Sequence, residues 1–210
     1  MPDEREVFNL DEMIESFDVD RVSVRGPIFD MEKLRWLNGQ HLRGLDDLQY
    51  AERVKGFLLN EQRLAPLIPL IKERVEVLSD LVPTTDYLVG SIAELNADDF
   101  AHKSLDRDEV VRCLHHVSQR LDTQMDWDRD VLMQVCQALA QAMELKFRDF
   151  LFPLFVALSG RTVTLPLFDS MSFLGPDLTR VRIRQALESL GMSGKEKKRL
   201  DKAYSALQLD

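Results

Sequence analysis

The chain has 210 residues, of which 45% are hydrophobic and 30% charged, a composition typical of folded globular proteins that argues against disorder. Its net charge of −9 by itself disfavours binding to nucleic acids. The charge is uneven, however, because residues 160–210 carry a net +3 and the preceding residues −12. The C-terminal quarter therefore either faces a polyanion or forms a solvated helix face.

Several cellular settings are disfavoured by the sequence. No apolar run approaches the ~20 residues that a membrane span needs, and the first residues lack the basic and apolar regions of a secretory signal. Cys113 and Cys136 show no metal-ligand spacing, which favours reduced thiols. We therefore expect a cytoplasmic protein without a membrane partner.

Helical patterns account for the first half of the chain. Asn9 opens a predicted capping box, and Asp30 is the predicted cap of a second helix that ends at Gly39. This second helix is expected to bury Leu34 and Leu37 on one side. Trp36 and Leu37 are the expected core of a junction, with Asn38 and Gly39 shaping its turn. Apolar stripes indicate two more helices. The predicted helices cover 10–17, 30–38, 47–59 and 63–82.

The second half is also helical, beyond a polar boundary at 97–108. Asp106, Asp126 and Ser193 are predicted helix caps, and Gly175-Pro176 predicts a break. No segment keeps the alternation of a β-strand, so the predicted fold class is all-α, in two helical subdomains. The predicted helices cover 107–121, 127–145, 147–158, 167–174, 177–190 and 194 onward.

No catalytic constellation is recognisable. His115 and His116 are adjacent on a predicted helix and point about 100° apart, so they do not readily share a metal ion. The stretch 191–195 lacks the strand and the first glycine of a phosphate-binding loop. We therefore predict no catalytic residue, metal or cofactor in this chain, and no enzymatic activity when it is alone.

A specific motif occupies the segment from Glu6 to Arg43. In the identity and spacing of these residues, the segment resembles the part of bacterial glutamyl-tRNA synthetases that follows the catalytic domain. Farther along, 153–160, 166–168 and 174–175 resemble a loop between anticodon-binding helices, and 180–190 resembles the closing arginine-rich helix. The matching residues of the first segment are Phe17-Asp18, Arg21-Val22, Phe29-Asp30, Lys33-Leu34, Trp36-Leu37-Asn38 and Arg43.

The resemblance implies an elongated anticodon-binding helical bundle. Residues 1–25 would end the stem-contact region and form a linker, followed by anticodon-binding subdomains at 26–100 and 101–210. The implied partner is tRNA, specifically glutamate tRNA, with no DNA, and a monomer is expected. ATP and magnesium would belong to a catalytic domain, whose signature motifs do not occur here. The alternative is a free-standing relative that acts as a protein-interaction or regulatory module.

The resemblance also implies residue roles. Arg74 falls on a long-helix arginine that reads the third anticodon base, a cytosine, and its planar fork suits a base edge; the alternative is a solvated arginine. Thr164 falls on the threonine of a Thr-Pro pair that contacts the other two bases, and Leu165 replaces the proline of that pair; both are candidate anticodon contacts. Phe155 replaces an arginine and offers either a stacking face or core packing. Candidates for contact with the RNA backbone are Lys33, Arg35, Arg43, Lys72, Arg161, Arg180, Arg182 and Arg184.

Overall fold

The structure is a computed structural model that describes residues 6–19, 30–58, 60–90, 92 and 94–207. Its described residues form helices, turns and loops and contain no strand, so the predicted all-α fold class is confirmed. The contacts divide the chain into a first unit, 1–60, and a second unit, 61–210. The predicted subdomain boundary near residue 100 falls inside the second unit and stays a prediction.

The described residues of the first unit form three helices, α1 (Leu10–Ser16), α2 (Met31–Arg43) and α3 (Asp47–Leu58). The predicted capping box opens α1, because the Asn9 side chain accepts from the Glu12 amide at 2.9 Å and the Glu12 carboxylate accepts from the Asn9 amide at 2.8 Å. These reciprocal bonds satisfy two amides that have no partner inside the helix.

Helix α2 is longer than predicted. Asp30 caps its first turn as expected, but the helix continues through Gly39 and ends only at Arg43. The Gly39 backbone is helical, and the Arg43 guanidinium lies over it, 3.2 Å from where a Cβ atom would be. No side chain of α2 is buried, including Leu34 and Leu37. The predicted turn at Gly39 and the predicted burial of Leu34 and Leu37 are therefore wrong, whereas the junction core stays a prediction.

The predicted long helix over 63–82 is also wrong. The second unit instead begins with α4 (Glu61–Leu64), α5 (Ile68–Ile71), a 3₁₀ turn (Leu78–Asp80) and α6 (Leu81–Val89). Pro66 explains the first break, because proline disfavours helical backbone in the residue before it and lacks an amide hydrogen. Pro69 is tolerated near the start of α5, and Pro83 in the first turn of α6, because amides there have no helical partner.

Five longer helices complete the second unit: α7 (Arg107–Asp122), α8 (Arg129–Ala142), α9 (Phe147–Ser159), α10 (Leu167–Ser189) and α11 (Gly194–Ser205). Asp106 and Ser193 are N-caps, as predicted, and each forms a capping box. The cap of α8 is Asp128 instead of the predicted Asp126, whose carboxylate accepts from the Asp128 amide at 3.1 Å. Gly175, with φ 74° and ψ 174°, bends α10 at the predicted break.

Two hydrophobic clusters hold the second unit together. The larger one lies between α7, α8, α9 and α10. The smaller one joins α5 and α6 to the loop between α9 and α10, and it consists of Leu67, Ile71, Tyr87, Leu88 and Leu165. Within the described part of the chain, no helix is long and apolar enough to cross a membrane. Members of the larger cluster that are fully buried include Leu114, Leu121, Leu139, Phe150, Met171 and Ile183.

Candidate nucleic-acid interface

Arg74 lies in the turn that follows α5, rather than in a long helix. The Arg74 and Val75 amides donate to the Ile71 carbonyl at 2.8 and 2.9 Å, and Ile71 is buried in the smaller cluster. The exposed Arg74 guanidinium uses one nitrogen to donate to the Leu70 carbonyl at 3.1 Å. Because the backbone is fixed while the side chain is exposed, Arg74 can offer its remaining donors to a ligand.

Lys72 ends α5 and lies two residues before Arg74. Its side chain is exposed, and its amide donates to the Ile68 carbonyl at 3.0 Å. Glu73 and Glu76 are exposed in the same turn, and their negative charges balance the positive charges of Lys72 and Arg74. A turn without net charge attracts phosphates weakly, so binding of RNA by this turn depends on directed hydrogen bonds.

The loop 160–166, between α9 and α10, carries Thr164. Gly160 ends α9 in the left-handed conformation, with φ 70°, which glycine adopts without strain. Thr164 is half-buried, and its hydroxyl donates to the Leu165 carbonyl at 2.9 Å. That bond uses the only hydroxyl hydrogen, so the Thr164 oxygen presents acceptor lone pairs to any ligand.

Leu165 requires a correction. Its side chain is 1% exposed and belongs to the smaller cluster, where it packs with Ile71 and with residues of α6. A buried side chain does not contact a base, so the expected contact through Leu165 is wrong. The residue nevertheless matters for the site, because one cluster holds both Ile71, below the Arg74 turn, and Leu165, next to Thr164.

Phe155 is half-buried in α9 and packs against the larger cluster. This contact agrees with the core-packing alternative, whereas the proposed stacking on a base stays a prediction. Its carbonyl accepts from the Ser159 hydroxyl at 2.7 Å, and the same hydroxyl lies 3.2 Å from the Arg161 carbonyl. These bonds shape the end of α9 where the chain enters loop 160–166.

The three arginines of α10 already have protein partners. Arg180 donates to the Leu121 carbonyl at 3.0 and 2.6 Å, which satisfies the C-terminal end of α7. Arg184 donates to the Asp122 carboxylate at 2.8 Å. Arg182 is 2% exposed and donates only to backbone carbonyls, so its expected contact with an RNA phosphate is wrong.

Arg161 follows Gly160 in loop 160–166 and also contacts the protein. Its guanidinium donates to the Pro83 carbonyl and to the Asp86 carboxylate, each at 2.6 Å, on α6. Both bonds join residues that lie far apart in the sequence, and no local pattern in the chain indicates them. Sequence reasoning therefore missed the α6 partners of the loop, of which Asp86 is the clearest.

The remaining basic candidates lie on α2 in the first unit. Lys33 pairs with Glu6, and this hydrogen bond and charge raise the pKa of Lys33 above its ordinary value. Arg35 and Arg43 are exposed. The described structure thus leaves these three residues as cations on the surface of their own unit, and their contact with RNA stays a prediction.

Among the described residues, no group of three or more His, Cys, Asp or Glu side chains could hold a metal ion. His115 and His116 are buried, and the His115 ring lies 2.9 Å from the Asp201 carboxylate. Burial raises the pKa values of Cys113 and Cys136 to about 12, so both remain thiols at neutral pH.

Comparisons with known proteins identify the family. Residues 49–187 match the family described as "Anticodon binding domain". The chain is 47% identical to the glutamate–tRNA ligase of Marinobacter nauticus and 42% identical to that of a Marinomonas species, in both cases over 99% of this chain and 42% of the relative. It therefore spans less than half the length of these relatives.

The fold has relatives among solved structures. A glutamate tRNA ligase from Elizabethkingia meningosepticum, in complex with its amino acid, matches 90% of this chain and 38% of its own, with a TM-score of 0.57 and 24% identity. That likeness concerns the fold alone. The sequence resemblance to glutamyl-tRNA synthetases is confirmed by the family match and by the relatives. This chain belongs to the anticodon binding domain family.

Proposed function

We propose that this chain recognises the anticodon of glutamate tRNA, as the tRNA-reading part of a glutamate–tRNA ligase. The relatives that match 99% of the chain support this proposal. The structural observation that carries it is the smaller cluster, which holds the Arg74 turn and the Thr164 loop on one framework. Binding is non-covalent, and ATP and magnesium belong to the catalytic part of such a ligase rather than to these residues.

Arg74 is proposed to read the third anticodon base. The Watson–Crick edge of an unpaired cytosine presents two neighbouring acceptors, O2 and N3, which match the parallel donors of a guanidinium. Uracil presents a hydrogen at N3 and would leave one guanidinium donor unpaired. An unmet donor in a desolvated contact costs about 1–3 kcal/mol, so this arrangement favours cytosine.

Thr164 is proposed to contact one of the other two bases. Because its hydroxyl hydrogen is already donated to the Leu165 carbonyl, the oxygen accepts from a base N–H. Arg74 and Thr164 therefore have opposite hydrogen-bonding roles, which suits a site that distinguishes one base from another. Lys72 is the proposed phosphate contact in the second unit, because it is exposed and has no ion-pair partner among the described residues.

The substitution Arg74→Gln tests the reading of the third base. We expect binding of the glutamate anticodon stem-loop to weaken by about 1–3 kcal/mol and the preference for cytosine over uracil at the third position to disappear. The measurement is the Kd for stem-loops that differ only at that base. Arg148→Gln is the matched control, because it removes the same charge from an exposed side chain at the start of α9. A loss below about 1 kcal/mol, or one equal for every third base, would contradict direct reading.

Salt dependence separates RNA binding from the alternative of a protein-interaction module. If the chain contacts phosphates, log K should fall linearly with the logarithm of salt concentration, with a slope of about −0.7 to −0.9 per contacted phosphate. Lys72→Gln should reduce that slope by about one, whereas Arg148→Gln should leave it unchanged. Absent or salt-insensitive binding of tRNA would favour a protein partner and count against the proposed function.

A further inference from the structure

Arg182 is the most deeply buried cation in the described part of the chain, with 2% of its surface exposed. Its guanidinium donates to the Leu158 carbonyl at 2.5 Å, and to the Tyr87 and Gly90 carbonyls at 2.6 and 3.0 Å. Leu158 lies in the last turn of α9, and Tyr87 and Gly90 lie at the end of α6. One side chain of α10 therefore joins the C-terminal ends of two other helices.

Helix ends explain why a cation occupies this buried position. The last carbonyls of a helix have no partner within it, and the helix dipole makes that end negative. No carboxylate pairs with Arg182 among the described residues, so these carbonyls alone compensate its charge. A purely apolar residue would fill the volume but would leave the carbonyls of both helices without a donor.

Loop 160–166 begins directly beyond the α9 end that Arg182 holds. Arg161, in the loop itself, attaches it a second time, through the Pro83 carbonyl and the Asp86 carboxylate of α6. Near the end of the loop, Leu165 is buried in the smaller cluster with residues of α6. Thr164 lies between these attachment points, so the position of its hydroxyl depends on how the loop lies on α6.

We propose that Arg182 and Arg161 are positioning residues that hold loop 160–166 against α6. They thereby determine from which anticodon base the Thr164 hydroxyl oxygen accepts a hydrogen bond. The inference rests on the proposed function, because it concerns the anticodon bases other than the one that Arg74 reads. Base discrimination requires donors and acceptors placed to within about 0.5 Å, and a loop attached at one end does not maintain such placement. The two arginines thus contribute to specificity without contacting RNA.

Two substitutions test the proposal without requiring a cavity in the core. Arg161→Gln changes an exposed side chain, so folding is preserved. Arg182→Lys keeps the positive charge. It replaces the forked guanidinium, which reaches both helices, by a single ammonium nitrogen. Arg184→Gln is the matched control, because Arg184 lies half a turn away on α10 and binds Asp122 of α7 instead of α6.

The main measurement is the Kd for glutamate anticodon stem-loops with a single base replaced at each position in turn. We expect both variants to reduce discrimination by about tenfold at whichever of the first and second positions Thr164 contacts, and discrimination at the third position by less than about twofold. Arg184→Gln should change all the Kd values by the same factor. Equal loss of affinity for every stem-loop, or unchanged discrimination at all positions, would overturn the proposal.

Hydrogen exchange of the loop amides provides a readout that needs no RNA. Amides of 160–166 should exchange about tenfold faster in Arg161→Gln and in Arg182→Lys than in the unmodified chain, and at an unchanged rate in Arg184→Gln. Unchanged exchange in the first two variants would overturn the attachment of the loop. If the unmodified chain bound no stem-loop, the proposed function and the effect on base choice would both fail, and hydrogen exchange would still test the attachment.

Discussion

Replacement of Leu165 by alanine is expected to lower the free energy of unfolding by about 2–4 kcal/mol. The Leu165 side chain is 1% exposed and packs in the smaller cluster, which among the described residues has five buried members. The substitution removes buried methyl groups and leaves a cavity that such a small cluster fills poorly. Urea denaturation of the full chain measures the loss, with Val163→Ala as the control.

Val163 is a suitable control because it lies in the same loop and is 82% exposed. Its replacement by alanine should change the free energy of unfolding by less than about 0.5 kcal/mol. Loss of RNA affinity in Leu165→Ala with no loss of stability would contradict the buried position and restore the direct base contact. The pair of variants therefore separates anchoring of the loop from contact with the ligand.

Acidification is expected to destabilise the chain through His116. Burial, and next the charge of His115, lower the pKa of His116 from 6.5 to about 4. The unfolded chain therefore takes up this proton near pH 6.5, whereas the folded chain does so only near pH 4. The stability contributed by neutral His116 is complete above about pH 6.5 and is lost as the pH falls toward about 4, a total of about 3 kcal/mol.

The groups around the His115–His116 pair shift the two pKa values in different directions. Burial also lowers the pKa of His115, and Asp201 on α11 opposes that shift through a hydrogen bond and its charge. Arg112 lowers the pKa of His116 further. On the side of α11, the uncharged Tyr204 ring packs against His116 with 5.5 Å between ring centroids. Protonation of His116 therefore places a poorly solvated charge between α7 and α11.

Denaturation at about pH 7 and about pH 4.5 measures this effect as the difference in unfolding free energy between the two pH values. In His116→Gln the difference should shrink, because glutamine does not titrate. His41→Gln, which alters an exposed histidine of α2, should retain the full difference. If His116→Gln lost as much stability on acidification as the unmodified chain, carboxylates rather than His116 would account for the effect.

Local sequence patterns predicted the features that depend on neighbouring residues. The helix caps at Asn9, Asp106 and Ser193 and the break at Gly175 occur where they were predicted. Such features require only groups a few residues apart and the fixed geometry of a helical turn. The local prediction failed at Pro66. Several helix-breaking residues lie close together there, but the same segment carries an apolar stripe typical of a continuous helix.

The family and the all-α fold were recognisable from motifs and periodicity, because both signals depend on residues that lie close together in the sequence. The roles of Arg182, Arg161 and Leu165 were not, because their partners on α6 lie far away in the sequence and are brought near only by packing. An arginine in a basic helix looks the same in the sequence whether it faces solvent or a helix end. Burial and the positions of unpaired carbonyls distinguish the two, and both arise only when the helices assemble.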